Sequence, residues 1–199
     1  MTWFLPALRN LTMLLLSALL VGCTPYSLHP LTDPGAEPLD PALIGSWYWS
    51  ESAGHGYIHI GREEDDAGLR LVMLSIDNDG ELELSQFSGH SSLLGERRYL
   101  NLKWQPPDPE DPDYLTVNYV IADGRLGIAL MDNDPVIAAI GSGRLAGSVT
   151  KEGWFTSVRV RAESEDWRRF VGAEHESLFS EVKFLDRLQP PSASAAAPD

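Results

Sequence analysis

Tyr99-Leu100-Asn101-Leu102-Lys103-Trp104 and Leu115-Thr116-Val117-Asn118-Tyr119-Val120-Ile121 decide how this chain folds. Apolar side chains recur at every second position, at Leu100, Leu102 and Trp104 in the first stretch and at Leu115, Val117, Tyr119 and Ile121 in the second. Successive side chains of an extended strand point to opposite faces, so this period predicts strands with one buried and one wet face. Working outward, Leu82 and Leu84 alternate with Glu81 and Glu83, and 43–49, 56–61, 68–76, 125–131 and 155–161 read as further strands. Asp79-Gly80 and Asp123-Gly124 are tight-turn dipeptides that join neighbours as hairpins. About eight strands with short connections predict a mainly β fold, an antiparallel barrel or, as the alternative, a β-sandwich.

Two segments break the two-residue period. Asp134 reads as an N-cap followed by Pro135, with Val136, Ile137, Ala139 and Ile140 forming a short helix near 135–141 that Gly141 stops. A clearer helix runs from about Ser164 to His175, with Glu165 and Asp166 at the positive end of its dipole. Its Trp167, Phe170 and Val171 share one face, which is expected to pack on the sheet. Residues 181–187 read as a last strand with Val182 and Phe184 on one side.

The amino terminus carries the most specific motif. Arg9 precedes an apolar run from Leu11 that ends in Leu20-Val21-Gly22-Cys23, too short for a spanning helix and shaped like a removable leader. Those four residues resemble the lipobox of bacterial lipoproteins, which implies that Cys23 receives a diacylglyceryl group and becomes the new amino terminus. The ordinary alternative is a secretory signal with a chance cysteine. By analogy with Gram-negative lipoproteins, Thr24 in the next position implies the inner leaflet of the outer membrane. Cys23 is the single cysteine, so no intramolecular disulfide is possible. The expected organisation is a leader over 1–22, a flexible proline-rich tether over 23–40, one β-rich domain over 41–188 and a disordered tail over 189–199.

Charge narrows the partners. The chain has 15 Lys and Arg against 29 Asp and Glu, and loss of residues 1–22 removes only Arg9, moving the formal charge from −14 to −15. Such an excess repels phosphate backbones and anionic headgroups, which argues against nucleic acid as a partner and predicts a domain standing off the bilayer.

Leu43-Ile44-Gly45-Ser46-Trp47-Tyr48 resembles the Gly-x-Trp motif that opens lipocalins, and eight strands, a helix and a ninth strand is the lipocalin order. The resemblance implies that Trp47 plugs the closed end of the barrel beneath an arginine from a late strand, Arg159 or Arg161. It also implies carriage of a small apolar ligand. The body is further similar to β-rich bacterial lipoproteins with a Gly-x-Trp opening and a late segment like Glu165-Asp166-Trp167-Arg168-Arg169-Phe170 followed by Leu178-Phe179. That likeness brings no activity with it.

The chemical groupings are thin. Four strand residues at about 3.3 Å each hold the Cα atoms of His55 and His59 roughly 13 Å apart, too far for one metal ion, so no metal site is expected. His90 and His175 read as surface or packing residues, Asp77-Asn78-Asp79-Gly80 as a hairpin turn, and Gly141-Ser142-Gly143 as a helix end. The acidic runs Glu63 to Asp66 and Asp108 to Asp113 read as solvated connections. Trp47 and Trp49 share a strand face and, with Arg159, are the candidates for ligand contact. No catalytic residue and no cofactor is assigned. The leading expectation is a non-catalytic, membrane-anchored interaction or structural domain of the cell envelope, partnered by an envelope protein or a glycan. A carrier of a small apolar ligand comes second and an enzyme third.

Overall fold

The computed structural model describes residues 24–52, 54–63, 68–105 and 113–188. The leader with Cys23, the acidic residues 64–66 and 108–112, and the tail 189–199 lie outside the described residues. Seven strands follow one another as antiparallel neighbours: β2 (Gly45–Glu51), β3 (Gly54–Arg62), β4 (Leu69–Asp77), β5 (Leu82–Leu94), β6 (Arg97–Trp104), β7 (Tyr114–Ala122) and β8 (Arg125–Leu130). The last strand, β11 (Lys183–Arg187), pairs with β8 on one edge and β2 on the other. The ring therefore closes as an antiparallel eight-stranded barrel, and the sandwich alternative falls away.

Three further strands branch from the barrel. β1 (Tyr26–Ser27) pairs antiparallel with the start of β7 and parallel with β10 (Phe155–Val160), which forms a hairpin with β9 (Gly147–Glu152). The expected order thus needs correcting. The 155–161 strand lies outside the ring, and the eighth ring strand arrives only after the helices α1 (Asn133–Gly141), α2 (Ser164–Ala173) and α3 (His175–Leu178).

Turn and cap residues explain several boundaries. Asp77 Oδ1 accepts from the backbone N–H groups of Asp79 and Glu81, both at 2.9 Å, which fixes the β4–β5 turn as expected. Asp123-Gly124 joins β7 and β8 as a tight hairpin. The N-cap of α1 is Asp132 rather than Asp134, which falls in the first turn. Asp132 is held there by Leu178 O and Ser180 Oγ, at 2.8 and 2.7 Å, contacts invisible to local sequence reading. At the other end, Ser142 Oγ donates to Ala138 O, so Gly141-Ser142-Gly143 terminates a helix.

Two cores result. The inner one fills the barrel with Trp47, Ile58, Ile60, Leu71, Phe87, Leu100, Leu102, Val117 and Leu185 among others. The outer one lies between the outside of the barrel, the β9–β10 hairpin and the helices, and includes Leu31, Tyr99, Val158, Val160, Trp167, Phe170, Val171 and Leu178. The apolar face of the 164–175 helix packs there, as its spacing requires. β6 is buried on both sides: Leu100 and Leu102 face inward, while Tyr99 and Asn101, expected to be wet, are fully covered. Conversely, Leu82 and Leu84, expected in the core, are 62% and 54% exposed. Buried Ser85 and Phe87 set the inward parity of β5, so Leu84 and Leu82 fall on the outer wall beside Leu74 and Ile76.

The expectation of a loose tether before residue 40 is also overturned. Thr24 is only 7% exposed, Leu31 and Leu39 are buried, and β1 joins the sheet. Asn101 Oδ1 accepts from Leu31 N–H at 2.8 Å, His90 Nε2 bonds Thr32 O at 2.7 Å, and Arg98 pairs with Asp40 at 2.8 Å. Proline denies this segment a helix or a long strand, yet side chains on β5 and β6 satisfy its backbone instead.

Candidate functional site

Trp47 and Arg187 are brought together by the first and last ring strands, β2 and β11. Trp47 points inward from β2, fully buried, and its Nε1–H donates to Leu43 O at 3.0 Å. The Arg187 guanidinium, from β11, lies 4.8 Å from the centre of the Trp47 ring and donates to Ile44 O. Gly45 has φ +142°, and a Cβ there would stand 2.9 Å from Arg187 Nη2. Gly45, Trp47 and Arg187 therefore form one unit: the glycine leaves room for the guanidinium that covers the indole. The partner of Trp47 is not Arg159 or Arg161, as expected. Arg159 sits on β10 outside the ring, 2.6 Å from Asp113, and Arg161 follows the end of that strand. The error follows from placing 155–161 in the barrel. The signal that would have found Arg187 is its position as the last residue of the closing strand.

Above Trp47, apolar side chains from the ring strands face one another inside the barrel. Trp49 lies against Gly56, where a Cβ would stand 2.3 Å from the indole ring. Phe87 and Trp104 meet edge to face with centroids 5.0 Å apart. Met73, Leu115, Ile121 and Ile128 pack against the same cluster. The face shared by Trp47 and Trp49 is thus barrel core.

Two open grooves lie on the outside. The first, about 450 Å³, is bounded by Asp40, Arg97, Arg98, Asn118, Tyr119 and His175 among others. Its two arginines already have partners: Arg98 meets Asp40 at 2.8 Å and Arg97 meets Glu176 at 2.6 Å. Burial pushes the Tyr99 phenol up to about 12, so it stays protonated beside His175 Nδ1 at 2.7 Å. Burial and the nearby Arg97 charge hold His175 below the usual imidazole value, which keeps the ring neutral at pH 7. Burial likewise raises the Tyr119 hydroxyl, against the pull of Arg98. Together the Tyr99–His175 and Arg97–Glu176 contacts fasten α3 to β6. The second groove, about 390 Å³, runs along the β9–β10 hairpin past Ser148, Thr150, Ser157, Arg159 and Arg161.

The remaining histidines are dispersed. His55 and His59 project from the outer wall of β3, where His59 Nδ1 meets Ser46 Oγ at 2.9 Å and His55 stands 6.5 Å from the Tyr48 ring. His90 is buried against Thr32 O and Tyr114. Among the described residues no three His, Cys, Asp or Glu side chains gather as metal ligands.

Two exposed apolar features were missed by the sequence reading. One is the outer-wall ladder Tyr48, Tyr57, Leu74 and Leu84, with Ile76 and Leu82 beside it. The other is the tip of the β9–β10 hairpin, where Trp154 is 95% exposed and Phe155 follows it. Glu152-Gly153 at that tip is a turn signal that could have located the hairpin. Comparison with known proteins finds no matching family model, no matching curated protein and no matching solved structure.

Proposed function

We propose that this protein is a lipoprotein of the bacterial cell envelope, anchored through acyl chains on Cys23 at the periplasmic face of the outer membrane. Its barrel works as a scaffold that recognises an envelope protein at its outer surface, without catalysis and without carrying a small apolar ligand. The apolar cluster packed inside the ring supports this reading. A carrier needs an apolar cavity of about 300 Å³ or more, whereas Trp47, Ile58, Phe87 and Leu100 project into the interior as one buried cluster. Apolar side chains are instead displayed outside, along Tyr57, Leu82 and Leu84, the kind of surface that protein partners cover. The ion pairs that engage Arg97, Arg98 and Arg159 support a non-catalytic role. Leu20-Val21-Gly22-Cys23 supports the anchor.

Fractionation of cells producing the full chain tests the anchor. The wild type is expected in the outer-membrane fraction, and Cys23→Ser is expected as soluble or unprocessed protein. Unchanged membrane association of the Cys23→Ser variant contradicts the lipid anchor. Site-specific photo-crosslinking at Leu84 in the same cells tests the recognition surface. A discrete cross-linked protein is expected, lost when Leu82 is replaced by Glu, and its absence removes this wall from the reading.

A further inference from the structure

We propose that the tip of the β9–β10 hairpin, Trp154 and Phe155, is a second membrane contact that inserts into the headgroup region of the bilayer holding the Cys23 acyl chains. The inference rests on the anchor proposed above and adds an orientation to it.

The direction of the chain argues for this. β1 runs parallel to β10, with Tyr26 opposite Arg159 and Ser27 opposite Val160. The chain entering β1 at Tyr26 therefore comes from the same side as the chain entering β10, the side on which Trp154 lies. Thr24 is buried, so the domain holds the chain as far as residue 24. At about 3.3 Å per residue, the three steps from Tyr26 to Cys23 cover at most roughly 10 Å, and the five from Arg159 to Trp154 cover roughly 16 Å. An anchor at Cys23 thus brings the hairpin tip to the membrane surface.

The side chains at the tip suit that surface. Gly153 takes φ +60° in the connection, which leaves Trp154 at the apex with 95% of its surface in water. Phe155, beside it, is 43% exposed. An indole has an apolar body and one N–H donor, and tryptophan is enriched where acyl chains meet headgroups. The strand behind the tip is held by Val158 and Val160 in the outer core, so presenting Trp154 requires no unfolding. With a formal charge near −15 the domain is not drawn to anionic lipid, and an aromatic contact is the form of attachment open to it. The domain then lies against the bilayer instead of standing off it.

The test uses the processed full chain reconstituted in vesicles of phosphatidylethanolamine and phosphatidylglycerol, with bromine on a fraction of the acyl chains near the headgroup. Bromine quenches tryptophan emission at contact, so wild-type emission is expected to fall relative to unbrominated vesicles. That loss is expected to be largely abolished in Trp154→Phe, an exposed and conservative change. Equal loss in the two proteins, or none in either, overturns the hairpin contact while leaving the anchor standing if mass spectrometry finds acyl groups on Cys23. An unacylated Cys23 overturns the anchor, and quenching that still depends on Trp154 in added vesicles sustains the contact alone.

Discussion

The lumen of the barrel and the layer that covers its outside each hold an apolar core, but different kinds of sequence build them. Inside, each strand contributes every second residue, and antiparallel pairing brings Trp47 beside Ile58 and Leu71 beside Phe87. Outside, Leu31, Tyr99, Val158, Trp167 and Leu178 come from five separate segments. The inner core is built mainly by the ring strands, with Leu39 and Leu43 added from the segment before β2, whereas the outer core exists only once the amino-terminal segment, the hairpin and the helices have docked. A ring of strands can therefore be closed, with an apolar cluster inside it, and still depend on what is laid over it.

Substitutions sharpen that contrast. Trp47→Ala removes the plug of the inner core and is expected to destabilise by about 3–5 kcal/mol, read from the urea midpoint. Leu31→Ala tests the outer core and is expected to cost about 2–3 kcal/mol, with faster amide exchange over residues 24–40. An effect within about 0.5 kcal/mol would mean that this segment is a tether after all. Replacement by Phe distinguishes the two buried indoles. Trp47 Nε1–H donates to Leu43 O, whereas Trp167 Nε1 has no hydrogen-bond partner among the described residues. Trp47→Phe is therefore expected to cost about 1 kcal/mol more than Trp167→Phe, and equal costs would break the distinction.

Acid acts on the outer layer first. Burial lowers His90, against its bond to Thr32 and the Asp33 charge, and burial with Arg97 lowers His175. Folding favours the neutral ring in each case, so the unfolded chain binds more protons just below the ordinary imidazole value near 6.5. Stability is retained above that pH and falls as pH drops through it towards the lower folded values. Thermal melts between pH 7.5 and 5.5 are expected to show this loss, and His90→Gln is expected to flatten it. The smallest effect is reserved for the outer wall: Leu82→Glu and Leu84→Glu are each expected to shift stability by no more than about 0.5 kcal/mol. A larger loss would place these leucines in the core.

The alternation at 99–104 and 115–121 was enough to read strands, hairpins and a barrel, because two-residue periodicity is written locally. Which face of β6 stays wet was not legible, since Tyr99 and Asn101 are covered by chain more than 60 residues away in sequence. Gly45-x-Trp47 pointed to a tryptophan covered by an arginine, but which arginine required knowing which late strand enters the ring. The proline-rich segment before residue 40 looked loose because composition reports missing helix and sheet, and says nothing of the side chains that bind its backbone. Trp154 carries no periodicity at all, and only the parallel pairing of β1 with β10 gives its position meaning.

Native mass spectrometry of the processed chain, released gently from membranes, tests most directly the proposal that the barrel is a scaffold and not a carrier. The expected mass is that of the polypeptide from Cys23 with its acyl groups and no further small molecule. A single apolar molecule bound one to one by the folded domain, and lost when Trp47 is replaced by Ala, would contradict the scaffold reading and make the barrel a carrier.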